Sequence, residues 1–219
     1  MNAEIRHVDG WVVRQRTPEG PGPHSMLLLL HGWTGDENSM WIFANRLPKD
    51  ALLVAPRGLY PATLGGYGWQ PGPGRTWPEL EDFRPAMEAV WNLLTLQNFP
   101  MADGGPIRLV GFSQGAALGY SLALAYPQRV EALAGLSGFA PGGVDQLVKA
   151  QPLAGKACFM THGTQDELVP VARARQARQI LLEAGAQVTY CEDDVGHKLS
   201  ASCFKGMEKF FDNLGYKSK

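Results

Sequence analysis

Gly111-Phe112-Ser113-Gln114-Gly115 constrains this chain more than any other stretch. The apolar run Ile107-Arg108-Leu109-Val110 ahead of it is short enough for a buried parallel strand. Ala116 to Tyr126 behind it reads as a helix stopped by Pro127. A serine therefore sits at a strand-to-helix corner. Only small neighbours fit so tight a turn, and glycines two before and two after the serine let the backbone fold back and push the hydroxyl out above the sheet edge. A lone G-x-S-x-G arises by chance often enough to prove little; the strand before it and the helix after it supply the missing context.

Around that corner the chain alternates. Glu4 to Val8 and Trp11 to Arg16 flank the turn pair Asp9-Gly10, which predicts an opening β-hairpin. Met26 to Leu30 is apolar without alternation, as in a strand covered on both faces, and it runs into the glycine loop His31-Gly32-Trp33-Thr34-Gly35-Asp36. Met40, Phe43, Ala44 and Leu47 make a helical stripe over Ser39 to Leu47, and Ala51 to Ala55 is the next strand. A helix is expected from about Arg84, with Pro85 in its first turn. After the serine corner the pattern gives strands at Val130 to Leu136, Ala157 to Thr161 and Gln187 to Cys191. Helices are expected at Val144 to Lys149, Val171 to Ala184 and Ser200 to Leu214. Such an order predicts an α/β fold, a mostly parallel central sheet with helices on both faces, in one domain over residues 1–219 with no separate cap. Ligands of such sheets sit outside the carboxyl ends of the strands.

Pro56 to Pro78 is different. It is crowded with glycine, proline and the large aromatics Tyr60, Tyr67, Trp69 and Trp77, and it shows no period. Long loops of this kind inside a compact domain are usually functional, and the aromatics argue against disorder, so a packed loop beside the site is expected.

The balance of 20 basic and 21 acidic residues leaves a net charge of −1, with no run of like charge to bind nucleic acid or an anionic membrane. The first residues lack the basic-then-apolar order of a signal peptide, and no apolar run is long enough to span a bilayer, so a soluble cytoplasmic protein without stable membrane insertion is expected. Cys158, Cys191 and Cys203 are odd in number and widely spaced. That fits neither a disulfide framework nor a C-x-x-C metal site, and free, at least partly buried thiols are expected. No metal and no cofactor is called for.

A serine hydroxyl is a poor nucleophile at neutral pH and needs a general base, itself oriented by an acid. His7, His24, His31 and His162 precede the plausible acid; His197, in Val195-Gly196-His197 just past a strand, alone follows it. Chain order serine, acid, histidine selects His197. Asp166 leaves the end of strand Ala157 to Thr161. Its rivals are Glu167, which is adjacent but longer, and Asp193 and Asp194, which lie close before His197 and suit turn formation. Acyl transfer also needs two donors at the developing oxyanion. The backbone N–H of Gln114 supplies one in this architecture, and that of Trp33 is best placed for the other, with His31 bracing the loop. Trp33, Tyr67, Trp69, Phe112 and Leu168 could line an apolar substrate pocket or pack within loop and core.

With Leu30-His31-Gly32, Gly111-Phe112-Ser113-Gln114-Gly115, His162-Gly163-Thr164-Gln165-Asp166 followed by Val169-Pro170, and Gly196-His197 in view, the chain resembles the phospholipase/carboxylesterase family of α/β-hydrolases, which includes acyl-protein thioesterases. The resemblance implies an α/β-hydrolase fold and Ser113, Asp166 and His197 as a catalytic triad. It places the oxyanion hole at Trp33 and Gln114, and implies hydrolysis of acyl esters or thioesters without cofactor or metal. It also leaves room for a homodimer. One departure is Trp33-Thr34 ahead of Gly35-Asp36, which is expected to narrow the acyl entrance; another is the Pro- and Trp-rich Tyr60 to Trp77 loop. Small soluble esters of short to medium chain are the expected substrates of a serine carboxylesterase of this kind. A thioesterase or lysophospholipase is the near rival, and a non-catalytic binding module on the same fold is the rival of another class.

Overall fold

The computed structural model describes residues 3–72 and 77–215. The chain opens with the antiparallel hairpin β1 (Ala3–Val8) and β2 (Trp11–Arg16), turned by Asp9 and Gly10, both at positive φ. β3 (Met26–Leu30) follows, then a 3₁₀ helix (Ser39–Arg46) and β4 (Leu52–Pro56). The loop beyond carries a two-rung hairpin, β5 (Tyr60–Pro61) and β6 (Tyr67–Gly68), and leads to α1 (Leu80–Leu93). The second half alternates: β7 (Ile107–Phe112), α2 (Gln114–Ala125), β8 (Val130–Leu136), α3 (Asp145–Lys149), β9 (Ala157–Gly163), α4 (Val171–Glu183), β10 (Gln187–Asp193) and α5 (Ala201–Asn213).

Eight of these strands form one sheet in the order β1-β2-β4-β3-β7-β8-β9-β10. β2 joins β4 antiparallel, and every pairing from β4 through β10 is parallel. The alternation of strand side chains divides the core into two layers. Leu28, Leu30, Leu52, Val54 and Leu109 face one layer, built with α1 and α2; Leu27, Leu29, Leu53, Ala55 and Val110 face the other, built with the 3₁₀ helix and α5. This two-sided cover is why β3 and β4 read as unbroken apolar runs. α2 is buried over eleven of its twelve residues, so its sequence shows no polar face. Among the described residues, no helix is long and apolar enough to cross a membrane.

α1 begins four residues before the predicted start at Arg84, and Pro85 lies inside it. A reciprocal cap explains the shift. The Glu79 side chain accepts from the backbone of Asp82, and the Glu79 N–H donates to Asp82 Oδ2 at 2.8 Å, fixing the first turn ahead of the proline.

The cysteine expectation is corrected. Cys191 on β10 and Cys203 on α5 are joined by a disulfide, their Cα atoms 5.6 Å apart. Spacing along the chain hid this, because α5 folds back beside β10 and brings together residues 12 apart in sequence. Cys158 is the free, buried thiol that was expected, and burial pushes its pKa up to about 12.

Candidate active site

Ser113 stands between β7 and α2 at φ 53°, ψ −118°, a conformation that non-glycine residues rarely adopt. Its N–H donates to the Leu136 carbonyl at 2.8 Å, and its own carbonyl accepts from Ala116 and Ala117 at 3.0 and 3.2 Å. The flanking glycines are sterically required. A Cβ on Gly111 would strike the backbone of Gly115 and Ala116, and one on Gly115 would strike the carbonyls of Leu30 and His31. The first turn of α2 thus closes over the strand and leaves Ser113 at the carboxyl edge of the sheet.

Asp166 and His197 are brought together by loops laced across the ends of β9 and β10. Thr164 N–H donates to Asp193 O at 2.9 Å and Gln165 N–H to Val195 O at 3.0 Å. Gly163 lies so close to Val195 that a side chain there would meet its carbonyl. His197 Nδ1 then lies 2.7 Å from Asp166 Oδ2. A carboxylate oxygen only accepts, so Nδ1 carries the proton and the Nε2 lone pair is left free to act as a base. The other carboxylate oxygen, Oδ1, accepts from Leu168 N–H at 3.0 Å and Val169 N–H at 2.8 Å. The Asp166 side chain has no exposed surface, and three hydrogen bonds hold it.

His162, which sequence reasoning passed over, braces the same loop. Its Nε2 donates to the Val169 carbonyl at 2.7 Å and lies 3.3 Å from Asp166 Oδ2. Burial, first among the influences on it, lowers its pKa, so it is neutral with Nδ1 bare. The i,i+4 spacing of His162 and Asp166 in one motif was the signal that could have found it.

The glycine loop after β3 is locked to its neighbours. His31 Nδ1 donates to the Gly32 carbonyl at 2.7 Å and Nε2 accepts the Gly58 N–H at 2.8 Å, so a neutral ring with a defined tautomer bridges two loops. Burial lowers its pKa as well. Trp69 ties three pieces together: its indole N–H donates to the His31 carbonyl at 2.8 Å, and its backbone N–H to Gln114 Oε1 at 2.9 Å. Glu37, almost fully buried, holds Arg57 through two bonds of 2.7 and 2.9 Å. The loop backbone presses on the serine corner, since a Cβ on Gly32 would lie 3.2 Å from both the Phe112 ring and Ser113 Cβ. Gln114 is the first residue of α2, so its N–H has no carbonyl of its own helix to meet.

Ser113, Gln114, His197 and Trp33 line one cavity of about 540 Å³. Its apolar wall consists of Leu64, Trp77, Phe112, Phe139, Leu168 and Val169, with Gln70 adding a polar group. Of the residues expected to line a pocket, Trp33, Phe112 and Leu168 do. Trp69 and Tyr67 do not, and this corrects the expectation. Trp69 has no exposed surface because both its N–H groups are needed inside to join the loops. Tyr67 instead lies under the Arg57 guanidinium, 4.8 Å from its ring centre, with its hydroxyl accepting from Arg57 at 3.3 Å. The lining residue Phe139 comes from the loop after β8, where it meets Trp77 edge to face at 5.2 Å; a position just past a strand end was its only mark in the sequence. Part of the aromatic loop, residues 73–76, lies outside the described residues.

A strand order of this kind, with a serine at a strained strand-to-helix corner, defines an α/β-hydrolase. The chain belongs to the phospholipase/carboxylesterase family, whose model matches residues 15–214. It is 29% identical over 164 residues to acyl-protein thioesterase 1 of Eremothecium gossypii, covering 67% of this chain and 68% of that one. It is 27% identical over 190 residues to acyl-protein thioesterase 1 of Schizosaccharomyces pombe, covering 81% and 79%. Its fold is similar to that of a carboxylesterase from Bacillus cereus, with a TM-score of 0.82 at 22% identity over 94% of this chain and 95% of that one. A carboxylesterase from Mesorhizobium loti superposes with a TM-score of 0.80 at 23% identity over 97% and 99%.

Proposed function

We propose that the protein is a serine carboxylesterase acting on esters of short to medium acyl chains. Ser113 Oγ attacks the acyl carbon while His197 Nε2 takes its proton. Asp166 fixes the tautomer and orientation of His197, and the N–H groups of Trp33 and Gln114 receive the oxyanion. The C–O bond breaks as His197 returns the proton to the alcohol, and water then resolves the acyl-enzyme by the same route. The observation that carries this reading is the 2.7 Å Asp166–His197 bond at the wall of a cavity that also exposes Ser113. The cavity's breadth and its apolar wall suit a small acyl chain. Thioester hydrolysis is the second reading, favoured by the two thioesterase relatives, and it needs the same machinery.

Purified protein assayed on p-nitrophenyl esters from acetate to palmitate, and on matched acyl thioesters, tests both. Ser113→Ala is expected to lower kcat by about three or more powers of ten with the fold intact. Near-normal turnover in that variant would remove Ser113 as nucleophile. Turnover confined to long chains or to thioesters would replace the carboxylesterase reading with the thioesterase one.

A further inference from the structure

A cleft of about 270 Å³ opens at the end of the sheet opposite Ser113. Met26 and Ile107, the first residues of β3 and β7, form its floor with Ala102 and with Trp91 of α1, all four buried. β7 runs six residues from Ile107 to the serine corner, about 20 Å at the rise of a strand, so this cleft is no part of the cavity that holds Ser113 and His197.

The rim carries charge. Arg129, at the end of the 3₁₀ turn Pro127–Arg129 after α2, and Asp103, in the loop before β7, both line the cleft. The Arg129 guanidinium lies over the Trp91 ring, 4.0 Å from its centre, and among the described residues it pairs with no carboxylate. Stacking uses the flat face of a guanidinium and leaves the N–H groups on its edge unspent. Asp103 Oδ1 accepts the Gly105 N–H at 2.9 Å, while Oδ2 meets no donor among the described residues. A cation and an anion thus line one cleft without bonding to each other, which leaves room between them for a ligand that meets both. Trp91 adds a third open group. It is only 6% exposed, and its indole N–H has no hydrogen-bond partner among the described residues, although buried donors are nearly always paired. A carboxylate drawn to Arg129 brings an acceptor to the same ring.

We propose that this cleft binds a free α-amino acid with a large apolar side chain. Its carboxylate takes the edge of Arg129, its ammonium takes Asp103 Oδ2, and its side chain lies on the floor at Met26 and Ile107. The two charges and the side chain of an amino acid spring from one carbon, so holding the charges at the rim turns the side chain toward the floor. A plain hydrocarbon leaves both charges unmet. A small polar zwitterion leaves the floor uncovered, together with Leu96, which lines the cleft and is 55% exposed. The site takes no part in the reaction at Ser113, and it stands or falls apart from the esterase reading.

L-phenylalanine is the probe. Phenethylamine, which lacks the carboxylate, hydrocinnamate, which lacks the ammonium, and glycine, which lacks the side chain, are measured beside it. Binding to the full chain is read by calorimetry at low salt, where exposed charges act most strongly. The variants are Arg129→Met, which keeps an unbranched stem over Trp91, and Asp103→Asn, which keeps an acceptor for the Gly105 N–H. Both positions are exposed, so each variant is expected to melt close to the wild type. The wild type is expected to bind L-phenylalanine about tenfold more tightly than any of the three analogues. Arg129→Met is expected to weaken L-phenylalanine about tenfold and to leave phenethylamine unmoved; Asp103→Asn is expected to weaken it similarly and to leave hydrocinnamate unmoved. No saturable binding of L-phenylalanine at millimolar concentrations, or binding that either variant leaves intact, would overturn the proposal. Hydrocinnamate or glycine bound as tightly as L-phenylalanine would overturn it as well, since Asp103 or the apolar floor would then have no part in recognition.

Discussion

Gly115 shows how little freedom a single residue has at this corner. The space where its Cβ would go is occupied by the carbonyls of Leu30 and His31, which are backbone and cannot rotate aside. Gly115→Ala must therefore push α2 off the end of β3, and a destabilisation of about 1–3 kcal/mol with loss of turnover is expected, read by thermal melting and ester hydrolysis. An alanine variant that melts with the wild type would refute this packing. His162 makes a different case, because among the described residues its hydrogen-bonding and ionic partners are the Val169 carbonyl and Asp166. His162→Leu keeps volume but frees the acid loop, so kcat is expected to fall about tenfold or more with KM less affected, as for a positioning residue. Equal losses in kcat and KM, or none, would count against that role. Both roles were half legible in sequence. The glycines declared a tight turn, but nothing linear said what they touch, and the histidine was screened out by chain order before its distance to Asp166 could be known.

At the scale of elements, the loop between β10 and α5 carries His197 and is closed by Cys191–Cys203. A bridge over so short a loop stabilises a fold by about 3 kcal/mol on the chain-entropy account, and here the tethered segment also holds the base. Cys203→Ser or Cys191→Ser is expected to lower the melting temperature and to depress kcat. Treatment of the wild type with a dithiol should do the same, without further effect on either variant. A reductant effect that persists in Cys191→Ser would point to another target. This crosslink was invisible to cysteine arithmetic, which counts residues along the chain and has no access to the direction in which α5 returns. Strands fared better. The unbroken apolar runs of β3 and β4 announced a sheet covered on both faces, since burial on two sides leaves no polar alternation to misread. The proline-bearing α1 was misplaced because a proline inside a helix resembles one at its start, and the cap of Glu79 and Asp82 that decides the matter depends on each side chain reaching the other residue's backbone.

Across the whole molecule, His31 and His162 make the loops at the carboxyl edge sensitive to acid. Both are held below the ordinary histidine value of 6.5, with burial as the leading cause in each. The unfolded chain therefore binds protons at these positions before the folded one does, and stability rises with pH wherever that difference holds. The contribution is whole above about pH 6.5 and is lost progressively as pH falls below it toward the depressed folded values. The geometry agrees with the sign. Protonated His31 would turn its Nε2 from an acceptor of the Gly58 N–H into a donor facing it, parting the glycine loop from the strand end after β4. His31→Gln removes this titration at a cost in baseline stability. Its melting temperature should lie furthest below the wild type near pH 7.5, and the gap should close as the pH is brought to 5. A gap constant across that range would mean that the acid sensitivity resides in the carboxylates rather than in the buried imidazole that holds the glycine loop.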